Sequence, residues 1–104
     1  MPSDNAAPSD TPSVVLDSTL DLKAAGPLMR EILAARGQGL VVDASEVRRL
    51  GGQCLQVLLA ARAAWASDGH AFELRDPSPA FIEGAALMGA ADRFGLASQQ
   101  EPTP

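Results

Sequence analysis

Tyrosine is absent from the 104 residues, cysteine, histidine, tryptophan and lysine each occur once, and aromatics make up 4% of the chain. One cysteine excludes an internal disulfide framework, and one histidine leaves no cluster able to hold zinc. Basic residues are outnumbered 8 to 13 by acidic ones, for a net charge of −5 and a pI near 4.6. That balance argues against nucleic acid as a partner, because phosphate binding requires a basic patch. It argues equally against docking on anionic lipid. The strongest apolar run, 54–66, is interrupted by Gln56 and Arg62 and is too short to span a bilayer. Residues 1–13 lack the basic start and apolar stretch of a signal peptide. The expectation is a cytoplasmic chain with no direct membrane insertion, which suits an unpaired cysteine. No Ser/His/Asp, Cys/His or paired-carboxylate arrangement stands at a meaningful spacing, so the reading is non-enzymatic, with no cofactor and no metal.

What is present is enough apolar material for one core: 46% of the residues are hydrophobic. Residues 1–12 and 97–104 are rich in Pro, Ser, Thr and Asp or Glu with almost nothing to bury, and read as disordered tails. The folded domain is placed at 13–96. Within it, 13–16 reads as a β-branched strand. Over 22–36, Ala25, Leu28, Met29, Ile32 and Leu33 fall on one helical face. Pro27 suggests that this helix becomes regular only near Gly26, and Gly37 that it stops there. Residues 39–43 form a continuous apolar run ending in Asp43, the pattern of a strand covered on both faces. A polar turn over 44–52 leads to a broadly apolar helix over 53–66, stopped at Gly69. Residues 71–75 alternate as a strand. Ser78-Pro79 is a helix start, with Phe81, Ile82, Ala85 and Met88 on one side of the helix and Gly89 at its end. A final piece, 92–96, returns Phe94 and Leu96 to the core. The fold class is α/β: a small mixed, mostly parallel sheet with helices packed on it, in βαβαβα order.

Asp17, Asp43 and Asp76 stand at the three strand ends, where ligands gather in such sheets. The single lysine, Lys23, is badly placed to complete a magnesium-dependent phosphorylation site, and the favoured role of each aspartate is to cap the turn that follows. Gly51-Gly52 precede a helix whose N-terminal amides could meet an anion, but no phosphate-loop pattern surrounds them. Cys54 lies in the first turn of that helix, where the dipole would favour the thiolate, making it a possible redox site. A small buried residue is the simpler reading. Trp65 is expected in the core and His70 at the surface.

Taken in order, these words resemble the STAS domain, the fold of bacterial anti-sigma-factor antagonists. Leu16-Asp17-Ser18-Thr19-Leu20-Asp21 stands where the family has a strand and a Gly-x-Leu-Asp turn. Leu40-Val41-Val42-Asp43-Ala44-Ser45-Glu46-Val47 matches the family's second strand with its terminal Asp and following valine. Leu50-Gly51-Gly52-Gln53-Cys54-Leu55 occupies the place of the apolar-Asp-Ser switch word and its leucine-rich helix. Asp76-Pro77-Ser78-Pro79 and the stretch 85–94 match the closing words. The phosphorylation word is degenerate, since Gly52 replaces the serine and has no hydroxyl to modify. The family also has an extra strand before the first one found here.

The resemblance implies a bacterial signal-transduction module acting by protein–protein interaction. Its partner surface would comprise Arg48, Arg49, Gly51, Gly52, Gln53 and Gln56. The expected partner is an anti-sigma kinase-like protein, a histidine kinase or a chemotaxis component. The alternative is an accessory subunit bound to the ATPase of a phospholipid-transport ABC system.

Overall fold

The structure, a computed structural model, describes residues 11–94. Residues 1–10 of the tail expected at 1–12, the tail expected at 97–104, any extra N-terminal strand before residue 11 and Leu96 lie outside the described residues. Five strands and three helices follow one another as β1 (Ser13–Val15), β2 (Thr19–Leu20), α1 (Leu22–Leu33), β3 (Leu40–Asp43), β4 (Arg49–Leu50), α2 (Gly52–Asp68), β5 (Phe72–Arg75) and α3 (Pro79–Leu87), with a 3-10 turn at Ala91–Phe94. The main sheet has the order β1-β3-β5 and both of its ladders are parallel. The βαβαβα reading holds, with two short strands added.

Strand order explains where the helices lie. The sheet grows in one direction, so right-handed crossovers place α1 and α2 on the same face. Val14, Leu40 and Val42 point to that face and join Leu28, Ile32, Leu58, Trp65 and Phe81 in one core. Val41 points the other way, flanked in register by Ser13 and Glu73. It is 7% exposed yet stands outside the core cluster. An open depression of about 500 Å³ lies on that outer face, lined in part by Ser13, Val41, Glu73 and Arg75. The run was expected to be covered on both faces; among the described residues the helices lie on one face of β3, and the other opens on this depression. Pro12, read by composition as tail, has a carbonyl that accepts from Val41 N at 3.0 Å.

Helix α1 begins at Leu22 rather than near Gly26, because the Asp21 carboxylate accepts from Ala24 N at 3.1 Å and caps the first turn. Pro27 consequently lies inside the helix, with no N–H to give the Lys23 carbonyl. Both residues are exposed, which leaves that carbonyl within reach of water. The helix ends at Leu33, and the left-handed turn at Gly37 (φ 95°) comes a few residues later. Leu28 and Ile32 are buried, whereas Met29 and Leu33, expected beside them, are about half exposed (46% and 51%). Helix α2 buries one face through Cys54, Leu55, Leu58, Ala61 and Trp65 and ends at Gly69 in the left-handed region. Trp65 is 1% exposed, and its Nε1 donates to the Gln38 carbonyl at 2.7 Å, the partner a buried indole requires.

Ser78 joins two loops. Its Oγ accepts from Phe81 N at 3.0 Å, capping α3, and donates to the Val47 carbonyl at 2.6 Å. Its amide donates to the Ala44 carbonyl. The Ser78→Ala variant would lose the cap and leave the Val47 carbonyl unpartnered. Urea unfolding followed by circular dichroism should show a loss of about 1–3 kcal/mol. Acid should also weaken the fold. Hydrogen bonds from Ser45, side chain then backbone, hold the Asp43 carboxyl below its ordinary value, and the bond from Arg36 does the same for Asp68. A lowered folded-state pKa contributes stability above the unfolded value that is lost as pH falls through the folded one. The melting temperature should therefore drop below about pH 4, and Asp43→Asn and Asp68→Asn should flatten that drop.

Candidate functional site

The helix N-termini of α1 and α2 meet at one end of the molecule. Two backbone crossings bring them together. The Ser18 carbonyl accepts from both Arg48 N (2.7 Å) and Arg49 N (3.0 Å), and the Leu20 carbonyl accepts from Gly51 N (2.9 Å). These bonds continue the parallel β2–β4 pair, in which Thr19 faces Arg49 and Leu20 faces Leu50. The stretch expected to be only a turn, 44–52, thus contains a strand. Two residues are too short to display a β period, so that pairing left no mark in the sequence.

The two glycines of the site differ in kind. A Cβ on Gly51 would stand 2.7 Å from the Leu20 carbonyl oxygen, a backbone atom with no room to retreat. Gly51 is also the N-cap of α2, with extended backbone and no side-chain cap bond. Its glycine is a condition of the β2–β4 contact. Gly52, the first helical residue, is exposed, and a Cβ there meets only the Met88 sulfur at an ordinary 3.8 Å. A side chain fits at 52, so the absence of a hydroxyl at that position is a matter of residue type and not of space.

Around this pair, Arg48, Arg49, Gln53 and Gln56 are all exposed. Among the described residues neither arginine forms an ion pair; the two that exist are Arg36–Asp68 and Arg75–Glu73. The arrangement presents two guanidinium groups, two carboxamides and a glycine gap to solvent. That inventory can bind carboxylates and approach another backbone, and it holds no nucleophile or general base. Met88, expected on the same side of α3 as Phe81, Ile82 and Ala85, belongs to the same surface. It is 41% exposed, and its neighbour Leu87 is 81% exposed. The packing of α3 on β4, where Gly84 lies 3.2 Å by its Cβ position from Leu50 Cβ, carries Met88 to Gly52. No local signal could have shown this.

Cys54, offered as a possible redox site, lies inside the core. It is fully buried and its Sγ donates to the Asp21 carbonyl at 3.4 Å. Burial pushes its pKa up, and the carboxylates of Asp21 and Asp17 push the same way. Both causes oppose the lowering that a helix N-terminus favours. Two of the three strand-end aspartates show local turn geometry. Asp43 Oδ1 accepts from Ser45 N at 2.9 Å, closing its own turn, and Asp76 takes a left-handed φ of 51°. Among the described residues no group of three His, Cys, Asp or Glu side chains could hold a metal ion. No described helix is long and apolar enough to cross a membrane.

A parallel three-stranded sheet, helices on one face and two adjoining helix N-termini at one end define a small α/β domain. A family model described as "Mlab, STAS domain" matches residues 3–97. The chain belongs to the STAS domain family, whose members are regulatory and binding modules of the anti-sigma-factor-antagonist kind. No curated protein and no solved structure matches it.

The contrast between the glycines is testable by unfolding. Gly51→Ala should cost about 1–3 kcal/mol through the clash with the Leu20 carbonyl. Gly52→Ala should be neutral or raise stability by up to about 1 kcal/mol through better helix propensity. Equal effects in urea titrations would contradict the geometry.

Proposed function

We propose that the protein is a non-enzymatic regulatory module that binds a signalling protein through the surface at the N-terminus of α2. The partner is an anti-sigma kinase-like protein, a histidine kinase or a chemotaxis component, and the setting is the bacterial cytoplasm. Binding uses Arg48, Arg49, Gly52, Gln53 and Gln56, while Gly51 holds the loop in position. The observation that carries this reading is the exposed glycine at position 52 within a STAS domain. The place where the family resemblance puts a phosphorylated serine is present, solvent-facing and sterically open, but has no hydroxyl. A module of this build binds without being switched by phosphorylation there. The exposed Arg48 and Arg49 support a partner that presents carboxylates.

The first experiment is affinity capture of the tagged protein from its own lysate with identification by mass spectrometry. A kinase or chemotaxis protein that binds again as a purified component supports the reading. An ABC-transport ATPase instead assigns the same surface to the alternative role as an accessory subunit. With the purified partner, Gly52→Asp should weaken binding by about tenfold or more, because it adds a like charge and bulk facing the partner carboxylates. The same change should leave unfolding within about 0.5 kcal/mol of the parent or slightly above it, since an acidic side chain suits a helix N-terminus. Intact binding by Gly52→Asp would remove this surface from the interface.

A further inference from the structure

Helix α1 carries an apolar stripe that the core does not use. Leu22, Met29 and Leu33 recur at helical spacing and are 71%, 46% and 51% exposed. Gly26 continues the stripe between them. Alongside runs a groove of about 120 Å³ between α1 and α2, lined by Met29, Leu33, Val57, Ala60, Ala64 and Trp65 among others. The one side-chain N–H among those lining residues, Trp65 Nε1, is already committed to the Gln38 carbonyl. The groove is far smaller than the roughly 300–1,000 Å³ of a small-molecule site. From Leu22 to Leu33 the stripe extends about 16 Å, the length of three turns of a helix.

The charges flanking the stripe along α1 are cations, while the carboxylate of Asp21, next to Leu22, is turned onto Ala24 N as the helix cap. Lys23 and Arg30, seven residues apart, lie one position further round α1 from Leu22 and Met29. The Arg30 guanidinium folds back beside Gly26, its Nη1 3.8 Å from the Cβ position there. Neither cation is in an ion pair among the described residues. Glu31 is turned away and lines a different small cavity with Asp17 and Leu28. Asp68, at the far end, is engaged by Arg36 at 2.9 Å, and Arg36 also lies over the Trp65 ring. From 52 to 66, α2 contributes one charge, Arg62. A second copy docked symmetrically through the same stripe would bring its own Lys23, Arg30 and Arg62 towards those cations, which disfavours that pairing.

We propose that the α1–α2 groove docks an amphipathic helix of a partner protein whose apolar ridge enters beside Met29 and Leu33 and whose acidic flank faces Lys23 and Arg30. This is a second surface, distinct from the one at Gly52, and does not rest on the signalling assignment. Helix-in-groove recognition uses this combination of a shallow apolar trough and a charged rim.

The three methionines make the test site-resolved. Methyl-labelled full-length protein would be titrated with a synthetic helical peptide of about five turns, bearing leucines at i, i+3, i+4 and i+7 and glutamates along one flank. A control peptide carries lysines in place of the glutamates. The Met29 methyl signal should shift and saturate while the Met88 signal stays, and the acidic peptide should bind about tenfold tighter than the basic one. Leu33→Asp, at an exposed position that should leave far-UV circular dichroism unchanged, should weaken the acidic peptide by a similar factor. Lys23→Glu with Arg30→Glu should reverse the peptide preference. Equal affinity for both peptides, a response at Met88 instead of Met29, or no shift up to about millimolar peptide overturns the proposal. So does a Met29 signal that moves on dilution without peptide, which would assign the groove to a second copy.

Discussion

The approach of the Gly51 backbone to the Leu20 carbonyl organises one whole end of this molecule. With no side chain at 51, β4 can lie against β2, and α2 can start where α1 starts. The cap of α1 at Asp21 then sits beside the cap of α2, close enough for the Cys54 thiol to donate to the Asp21 carbonyl. Everything exposed around position 52 takes its place from that contact. The cost is local: α2 begins without a side-chain cap, and its first turn relies on helix length and one buried face for stability.

The same contact separates residues that look alike in the chain. Gly51 and Gly52 are adjacent and chemically identical, yet one is held by a backbone atom 2.7 Å from its missing Cβ and the other faces open solvent. Arg48 and Arg49 likewise have amides bound to the Ser18 carbonyl and guanidinium groups that remain unpaired among the described residues. The backbone of this loop is spent on the fold, and its arginine side chains are left exposed to solvent. Ser78 completes the arrangement from the other direction, tying the 44–47 loop to the start of α3, so that the surface is anchored from both flanks.

Apolar surface is distributed unevenly for so small a domain. The core takes Leu28, Ile32, Trp65 and Phe81, with Phe94 packed edge-on against Phe81 at 5.9 Å between ring centres. Met29, Leu33, Leu87 and Met88, which share those helices, stay outside. One layer of helices on a three-stranded sheet cannot cover every apolar position that helical spacing brings to one side. The surplus gathers at two places, the end of α3 near Gly52 and the stripe on α1.

Much of the architecture was legible in the residues because its signals are local. The β-branched runs at 13–15 and 40–43, the stop at Gly69, the Ser78-Pro79 start and the order of elements each follow from spacing and turn chemistry within a few residues. The words around Asp43 and Gly52 carried the family. What tertiary structure alone decided depended on contacts between distant segments: the β2–β4 pair, the arrival of Met88 at Gly52, and which of two glycines could bear a side chain. It also decided that Cys54 would be buried in the core with its thiol against the Asp21 carbonyl, where desolvation raises its pKa. Propensity and periodicity report what a segment prefers alone. They cannot report which carbonyl 31 residues earlier in the chain will lie against Gly51, and that approach determines the shape of the surface.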